Sequence, residues 1–151
     1  MIRPNPRTIA TALALVSAGV GTLAVAATPA DTIAARQANF KKMGGAMKVI
    51  KDELAGGADK AKMAGAATTI AAVARAQVPM FPKGTGPVKT DALPAIWTDR
   101  ATFDGHAKKL IAEADKLVAV TGAGNAAAIA AQFKVVGSTC GACHKQFRAD
   151  D

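Results

Sequence analysis

The sequence has little of what a β-sheet core requires. Tyr is absent and aromatic residues make up only 4% of the 151 residues, whereas strands favour aromatic and β-branched side chains. Alanine, the residue with the highest helix propensity, recurs in nearly every segment. This composition argues against a sheet and predicts an all-α protein. A chain of this length with 50% hydrophobic residues can form one compact domain.

Runs of like charge are also missing. The formal net charge is +8, but Lys and Arg are interleaved with Asp and Glu along the chain, which is typical of solvated helix faces. A basic stripe for nucleic acid is therefore not predicted. The excess of positive charge still suits an anionic protein partner or a membrane surface.

The first 27 residues have the pattern of a secretory signal peptide. Arg3 and Arg7 precede an apolar stretch over residues 9–25, and small residues follow. Cleavage after Ala26 or Ala27 satisfies the small-residue rule, so we expect a mature domain over residues 28–151. Its charge is +6, because the signal contains two arginines and no acid. A retained membrane anchor is the alternative, but about 17 residues are short for a span, and export to the periplasm is the prediction.

Four segments carry apolar residues at steps of three and four, which is the spacing of an amphipathic helix. The predicted helices cover residues 31–55, residues 59–78, a segment that starts between 96 and 99 and stops before 122, and the segment after 125. Gly56-Gly57 ends the first, Asp59 is a suitable N-cap for the second, and Asn125 is one for the fourth. Such helices bury their apolar stripes in an antiparallel four-helix bundle.

Proline and glycine interrupt this pattern at two places. Residues 79–94 include four prolines and two glycines and are predicted to form a long loop. Gly44-Gly45 lie inside the first predicted helix, where each glycine costs about 1 kcal/mol relative to alanine. Either another helix or a flat ligand approaches closely there, or the pair is a tolerated weak point.

The two cysteines stand in the sequence Cys140-Gly141-Ala142-Cys143-His144, the CxxCH pattern of covalent haem attachment. At 100° per residue, Cys143 lies about 60° from Cys140 in one direction and His144 about 40° in the other, so the three share one helix face. The thiols can add to the two haem vinyl groups and the imidazole can reach the iron. The motif predicts one haem c, attached through Cys140 and Cys143, with His144 as the axial iron ligand.

Other uses of two cysteines fit the sequence less well. A redox dithiol of the thioredoxin type needs a βαβ context, which the helical pattern lacks. A redox dithiol, a disulfide or a zinc half-site would each leave the adjoining histidine unexplained. A zinc site also needs four ligands, and the one further histidine, His106, lies among polar residues of the third predicted helix, where we expect it at the surface.

With this motif near its C-terminus, the chain resembles the cytochrome c prime family of haem-binding four-helix bundles. Only seven residues follow His144, whereas most c-type cytochromes carry the motif near the mature N-terminus. The stretches ARQANFKKMGGAMKVI and LPAIWTD, and the pair Phe147-Arg148, are similar to segments at the same places in that family. The resemblance covers essentially the whole mature chain.

The resemblance implies that the residue four after Arg36 decides whether the iron receives a sixth ligand, and this residue is Phe40. Phenylalanine cannot bind iron, so a five-coordinate, high-spin haem with a hydrophobic distal side is implied. Met43 and Met47 lie on the same stripe, one and two turns further on. A thioether ligand would make the protein a low-spin electron-transfer cytochrome, which is the alternative, although methionines at helical spacing more often fill a core.

The resemblance also places further side chains around the haem. Arg36 and Gln37 match positions beside the haem propionates, with a solvent-facing pair as the alternative. Arg148 follows His144 by one helical turn and would stand over the proximal side, where it stabilises a polar diatomic ligand or only complements the helix dipole. Trp97 is expected to pack the bundle end near the haem without a chemical role.

The expected function is reversible binding of small gases, chiefly NO and CO, with Phe40 as a steric gate on an apolar distal side. The resemblance adds that NO can end on the proximal side after displacing His144. Periplasmic electron transfer to a redox partner protein is a second expectation. Enzymatic turnover is disfavoured, because the first predicted helix has no His or acid on its stripe to move protons. A homodimer through the first two helices is common in that family.

Overall fold

The computed structural model describes residues 27–86 and 89–149, and the regular structure within these ranges consists of helices and one isolated β-bridge between Ala92 and Arg148. The helices are α1 (Pro29–Asp52), α2 (Lys60–Gln77), α3 (Ala95–Thr98), α4 (Arg100–Ala123) and α5 (Ala126–Phe147). The four long ones, α1, α2, α4 and α5, form the predicted four-helix bundle. The predicted signal peptide, except for its last residue, lies outside the described residues.

The turn between α1 and α2 confirms the predicted break near residue 56. α1 ends at Asp52, and the chain continues as one π-helical turn, Glu53–Gly57. The Glu53 carboxylate accepts hydrogen bonds from the Asp59 N–H at 3.0 Å and from Lys62 Nζ at 3.2 Å. Asp59 caps α2 as predicted, because its carboxylate accepts from the Lys62 N–H at 3.0 Å. This end of the bundle is thus closed by its own side chains.

The third predicted helix is divided in two. α3 is a single turn, and Asp99 (φ −121°, ψ 57°) leaves the helical conformation before α4. The Asp99 carboxylate accepts from the Thr102 N–H at 3.4 Å, so this residue acts as the N-cap of α4. α4 ends at Ala123, and its C-cap is Gly124, whose φ of 75° favours glycine. Asn125 caps α5, as predicted.

Two apolar clusters hold the bundle together. The larger one lies between the four long helices, and its fully buried members are Ile50, Ala67, Ile70, Ala114, Leu117, Ile129 and Val136. The smaller one is aromatic and joins α3, α4 and the end of α5 to the loop before α3; its buried members are Phe81, Ile96, Phe103 and Phe147. Phe103 makes edge-to-face contacts at 4.9 Å with Phe81 and at 5.4 Å with Phe147.

The loop before α3 covers the end of the bundle opposite the α1–α2 turn. It follows a short 3₁₀ turn, Val78–Met80. Arg100 of α4 donates hydrogen bonds to two carbonyls of this segment, at 2.9 and 3.2 Å. The indole N–H of Trp97 donates to the Pro82 carbonyl at 2.9 Å. Trp97 packs against the aromatic cluster, so its predicted place at the bundle end is confirmed, and the loop is held firmly over the space beneath it.

Candidate functional site

A cavity of about 500 Å³ lies beneath this loop, between α1, α2, α4 and α5. Its size is in the range of sites that bind cofactors. The cavity is lined by every predicted site residue: Arg36, Gln37, Phe40, Cys140, Cys143, His144 and Arg148. The fold therefore brings residues from the first and the last helix to one place.

The two cysteines and His144 reach the cavity from α5, as the spacing of the motif predicts. Both cysteines are half-buried and free. Burial raises the pKa of Cys140, and burial followed by the neighbouring Cys140 raises the pKa of Cys143 to about 11. In this fold both groups are therefore protonated thiols at neutral pH.

The alternatives to haem attachment become weaker in these surroundings. A redox dithiol needs a lowered pKa to supply thiolate at neutral pH, and the pKa of both thiols is raised instead. In the described part of the chain, no group of three or more His, Cys, Asp or Glu could hold a metal ion, so a zinc site finds no ligand set. Attachment of haem is the use of CxxCH that agrees with this environment.

The imidazole of His144 is favoured in its neutral form. Burial lowers the pKa of His144, and the positive charge of Arg148 lowers it further. A neutral imidazole has a ring nitrogen with a free lone pair, which is what a metal ion requires. A ring nitrogen of His144 is therefore available to bind iron at neutral pH.

Phe40 faces His144 across the cavity. The centroids of the two rings are 6.4 Å apart, and their planes meet at 67°. Phe40 also packs edge-to-face on Phe81, at 6.4 Å. It is 38% exposed, which is high for a phenylalanine, and it lines the cavity wall. One wall of the cavity thus offers a nitrogen that can bind iron, and the other presents an apolar ring that cannot. This arrangement suits a haem whose iron has one protein ligand.

Arg36 is a buried cation without an acidic partner among the described residues. It is only 2% exposed, and its guanidinium donates to neutral oxygens of Met80, Thr85 and Thr90 at 3.3–3.4 Å. It also lies 4.3 Å above the ring centroid of Phe81. Burial lowers its pKa. A buried charge normally has a counter-charge, so this corner of the cavity suits a carboxylate of a bound ligand.

Gln37 and Arg148 lie at the rim of the cavity. Gln37 is exposed, and its Nε2 donates to the Lys89 carbonyl at 3.3 Å. Arg148 lies one helical turn beyond His144 as predicted, because its N–H donates to the His144 carbonyl at 3.0 Å; it is the C-cap of α5, and its own backbone is extended. Its Nε lies 3.7 Å from a carboxylate oxygen of Asp91 in the loop. Arg148 is nevertheless close enough to His144 to affect its pKa.

The two methionines of the alternative prediction line the same cavity. Met43 is buried in the larger apolar cluster, and Met47 packs against that cluster. Gly44 lines the cavity as well, and a Cβ on Gly44 or Gly45 would meet nothing within 4 Å. Close approach of another helix therefore does not explain the glycine pair; a flat ligand against Gly44 and a tolerated weak point both stay consistent with the structure.

Sequence reasoning missed two polar residues that line the cavity. Gln77 is the last residue of α2 and 5% exposed, and neither atom of its amide group has a hydrogen-bond partner. Its signal in the sequence is a polar residue at the end of an otherwise small and apolar stripe. His106 was expected at the surface but is half-buried, with Nε2 3.1 Å from Gln146 Oε1 and its ring 5.9 Å from that of Phe147. On α4 this residue faces α5. Its polar neighbours in the sequence predicted a surface position instead.

The cavity residues fit the predicted haem. Two protonated thiols and a neutral imidazole lie on one wall, and an apolar ring faces them. The buried guanidinium of Arg36 has no carboxylate partner among the described residues, so its positive charge can pair with a haem propionate. Each of these features has a separate structural cause, and one flat, dianionic, covalently held ligand accounts for all of them.

Comparisons with known proteins agree with this arrangement. The sequence profile of the family described as Cytochrome C' matches residues 31–148. The chain is 33% identical to the cytochrome c' of Allochromatium vinosum, over 92% of this chain and 95% of the relative. It is 37% identical to the cytochrome c' of Rhodospirillum rubrum, over 91% of this chain and 95% of that one.

Solved structures share the fold. A cytochrome c' described as having a ligand-controlled dimer dissociation superposes with a TM-score of 0.80 at 31% identity, covering 83% of this chain and 100% of its own. A nitric oxide complex of a mutant cytochrome c prime from Alcaligenes xylosoxidans superposes with a TM-score of 0.75 at 28% identity, covering 82% and 98%. The similarity thus extends over the whole bundle.

Proposed function

The chain belongs to the cytochrome c prime family, and on that premise we propose that it is a periplasmic cytochrome whose five-coordinate haem binds small gases, chiefly NO and CO. Proteins of this family carry a covalently attached haem c, and the chain has the two cysteines of such a site. Export agrees with the signal pattern of residues 1–27.

In this proposal the predicted site residues have defined tasks. Cys140 and Cys143 would hold the haem through two thioether bonds, and His144 would bind its iron. The haem would supply the iron at which a small gas binds. Arg36 would pair with a haem propionate; its burial without an acid among the described residues supports this role. Gln37, at the rim of the cavity, would lie beside the propionates as well.

The observation that carries the proposal is the position of Phe40. Its ring faces the imidazole of His144 at 6.4 Å, and it has no atom that can bind iron. Phe40 therefore places an apolar ring opposite His144 and restricts the space there, which favours small uncharged ligands over bulky anions. One solved structure of the family is a nitric oxide complex, and we extend that ligand class to this chain.

Arg148 is the residue that would assist a ligand on the other face. It lies near His144 and pairs with Asp91 at the mouth of the cavity. Its cationic charge would stabilise a polar diatomic that has displaced the imidazole.

Replacing Phe40 by Ala tests the steric gate. We expect CO to bind the reduced Phe40→Ala protein about tenfold faster, which corresponds to a barrier lower by about 1.4 kcal/mol. Stopped-flow mixing with CO measures the rate. Phe133→Ala is the matched control, because Phe133 packs against the larger cluster without lining the cavity. An unchanged rate in Phe40→Ala, or an equal increase in both variants, would contradict the gate.

The second candidate function is that of a low-spin electron carrier with a methionine ligand. Met43 and Met47 line the cavity and supply the observation in its favour. If either thioether binds the iron, Met43→Leu or Met47→Leu converts a low-spin ferric spectrum into a high-spin one. The five-coordinate proposal instead predicts that the spin state of both variants equals that of the parent protein.

Electron exchange and self-association complete the proposal. A haem near the surface of a basic protein can exchange electrons with an acidic partner protein. Homodimerisation through α1 and α2 stays a prediction; a relative of this fold is described as a dimer whose dissociation its ligand controls. Sedimentation of the haem-loaded protein with and without CO measures both the dimer and its response to ligand.

A further inference from the structure

Gln77 is the one residue in the described ranges whose buried side-chain polar atoms have no hydrogen-bond partner. It is 5% exposed and lines the cavity. Burying an amide without partners is unfavourable, so such groups are rare in folded proteins. An unpaired amide at the wall of a ligand cavity indicates that the ligand supplies the missing partner.

Gln77 and Phe40 line the cavity from neighbouring helices. Gln77 is the last residue of α2, which packs against α1, and Phe40 belongs to α1. Phe81, which follows the 3₁₀ extension of α2 directly, packs on Phe40. His144 reaches the cavity from α5 and faces Phe40.

We propose that the side-chain amide of Gln77 donates a hydrogen bond to the small ligand in the open position opposite His144. The outer atom of a bound diatomic is an acceptor, and Nε2 of Gln77 is a donor. The inference rests on the proposed function, since it concerns the same open position. It makes Gln77 a specificity-determining residue that favours ligands whose outer atom carries partial negative charge.

The neighbouring polar groups are already engaged. The hydroxyl of Thr139, which also lines the cavity, donates to the Val135 carbonyl at 2.9 Å. The guanidinium of Arg36 donates to oxygens of Thr85 and Thr90. Phe40 and Met43 are apolar. Among the described cavity residues of α1 and α2, Gln77 is thus the polar side chain whose hydrogen-bonding atoms are all unbonded.

The Gln77→Met variant tests the inference, because methionine keeps the length of the side chain and removes the donor. In the reduced haem protein we expect the C–O stretch of bound CO to move to higher wavenumber. We also expect CO to dissociate about fivefold faster, the factor that corresponds to one lost neutral hydrogen bond. Infrared spectroscopy in H₂O and D₂O should show a solvent-isotope shift of the stretch in the parent protein and none in Gln77→Met.

Thr139→Val is the matched control. It removes a second polar group from the same cavity, but that group already bonds within its own helix, so the C–O stretch and the dissociation rate should equal those of the parent. Thermal unfolding of the variants checks that both fold.

The outcomes separate this inference from the function on which it rests. If the parent binds CO and Gln77→Met has the same stretch and rate, the amide does not bond the ligand, the inference is wrong, and the proposed function stands. An amide that hydrogen-bonds the edge of the haem and not the ligand would also leave the stretch and the rate unchanged, and the inference would be wrong in that case too. If the reduced parent shows no CO band at all, both the inference and the proposed function fail.

Discussion

The two ends of the bundle differ in whether their buried polar groups have partners. At the closed end, formed by the α1–α2 turn and the part of the larger apolar cluster away from the cavity, Ile50, Ile70 and Leu117 are fully buried, and Glu53 accepts two hydrogen bonds. At the cavity end, Arg36 is buried without an acid and Gln77 without any partner among the described residues, and Phe40 is 38% exposed.

This difference separates structural from functional residues within one set of helices. α1 and α2 run through both ends, so helix propensity and composition do not distinguish them. Buried polar groups have their partners at the closed end and lack them at the cavity end, and a protein leaves such groups unpaired mainly where it binds something. Substitutions at the closed end should therefore change stability, and those at the cavity end should change the haem.

The largest effect is expected from removing both attachment thiols. The double variant Cys140→Ser, Cys143→Ser should contain no covalent haem, because no thioether bond can form. Mass spectrometry of the denatured protein, matured in the periplasm, measures the loss. Ser138→Ala, an exposed position of the same helix, should keep full attachment. Covalent haem in the double variant would contradict the assignment of the two cysteines.

A buried side chain of the closed end should give the opposite result. Leu117→Ala leaves a cavity in the larger cluster and should lower the free energy of unfolding by about 2–5 kcal/mol. Leu117 does not line the haem cavity, so the optical spectrum of the folded protein should equal that of the parent. Urea unfolding and absorption spectra of one sample measure both. A changed spectrum would show that the two ends are not independent.

The smallest effect distinguishes two adjacent glycines. Alanine at either position removes a helix-interior glycine and should stabilise α1 by about 0.5–1 kcal/mol, and a Cβ meets nothing within 4 Å at either. Only Gly44 lines the cavity. Gly44→Ala should therefore change the rate of CO binding, whereas Gly45→Ala should change stability alone. Equal CO rates in both variants would exclude contact between Gly44 and the haem.

Much of the fold could be predicted from the sequence because its signals are local. The spacing of apolar residues located four helices, and the capping side chains Asp59 and Asn125 do what their positions predict. The break at Asp99 was missed, because the apolar spacing continues across it. A backbone turn there depends on how the loop is held by α4.

The candidate site was predictable where the chemistry lies in a motif and less so where it depends on burial. Cys140, Cys143 and His144 follow from spacing alone. Gln77 and His106 do not, because the depth of a side chain in the bundle is set by the loop and by packing between helices that are distant in sequence. Likewise, only the three-dimensional structure shows that Arg36 is buried away from every acid in the described ranges.

The electron paramagnetic resonance spectrum of the oxidised, haem-loaded protein at neutral pH tests the central claim most directly. With Phe40 opposite His144 and no sixth ligand, the account predicts a high-spin ferric signal and no methionine–iron band in the optical spectrum. A low-spin signal accompanied by a sulfur-to-iron charge-transfer band would contradict it and assign the open position to Met43 or Met47.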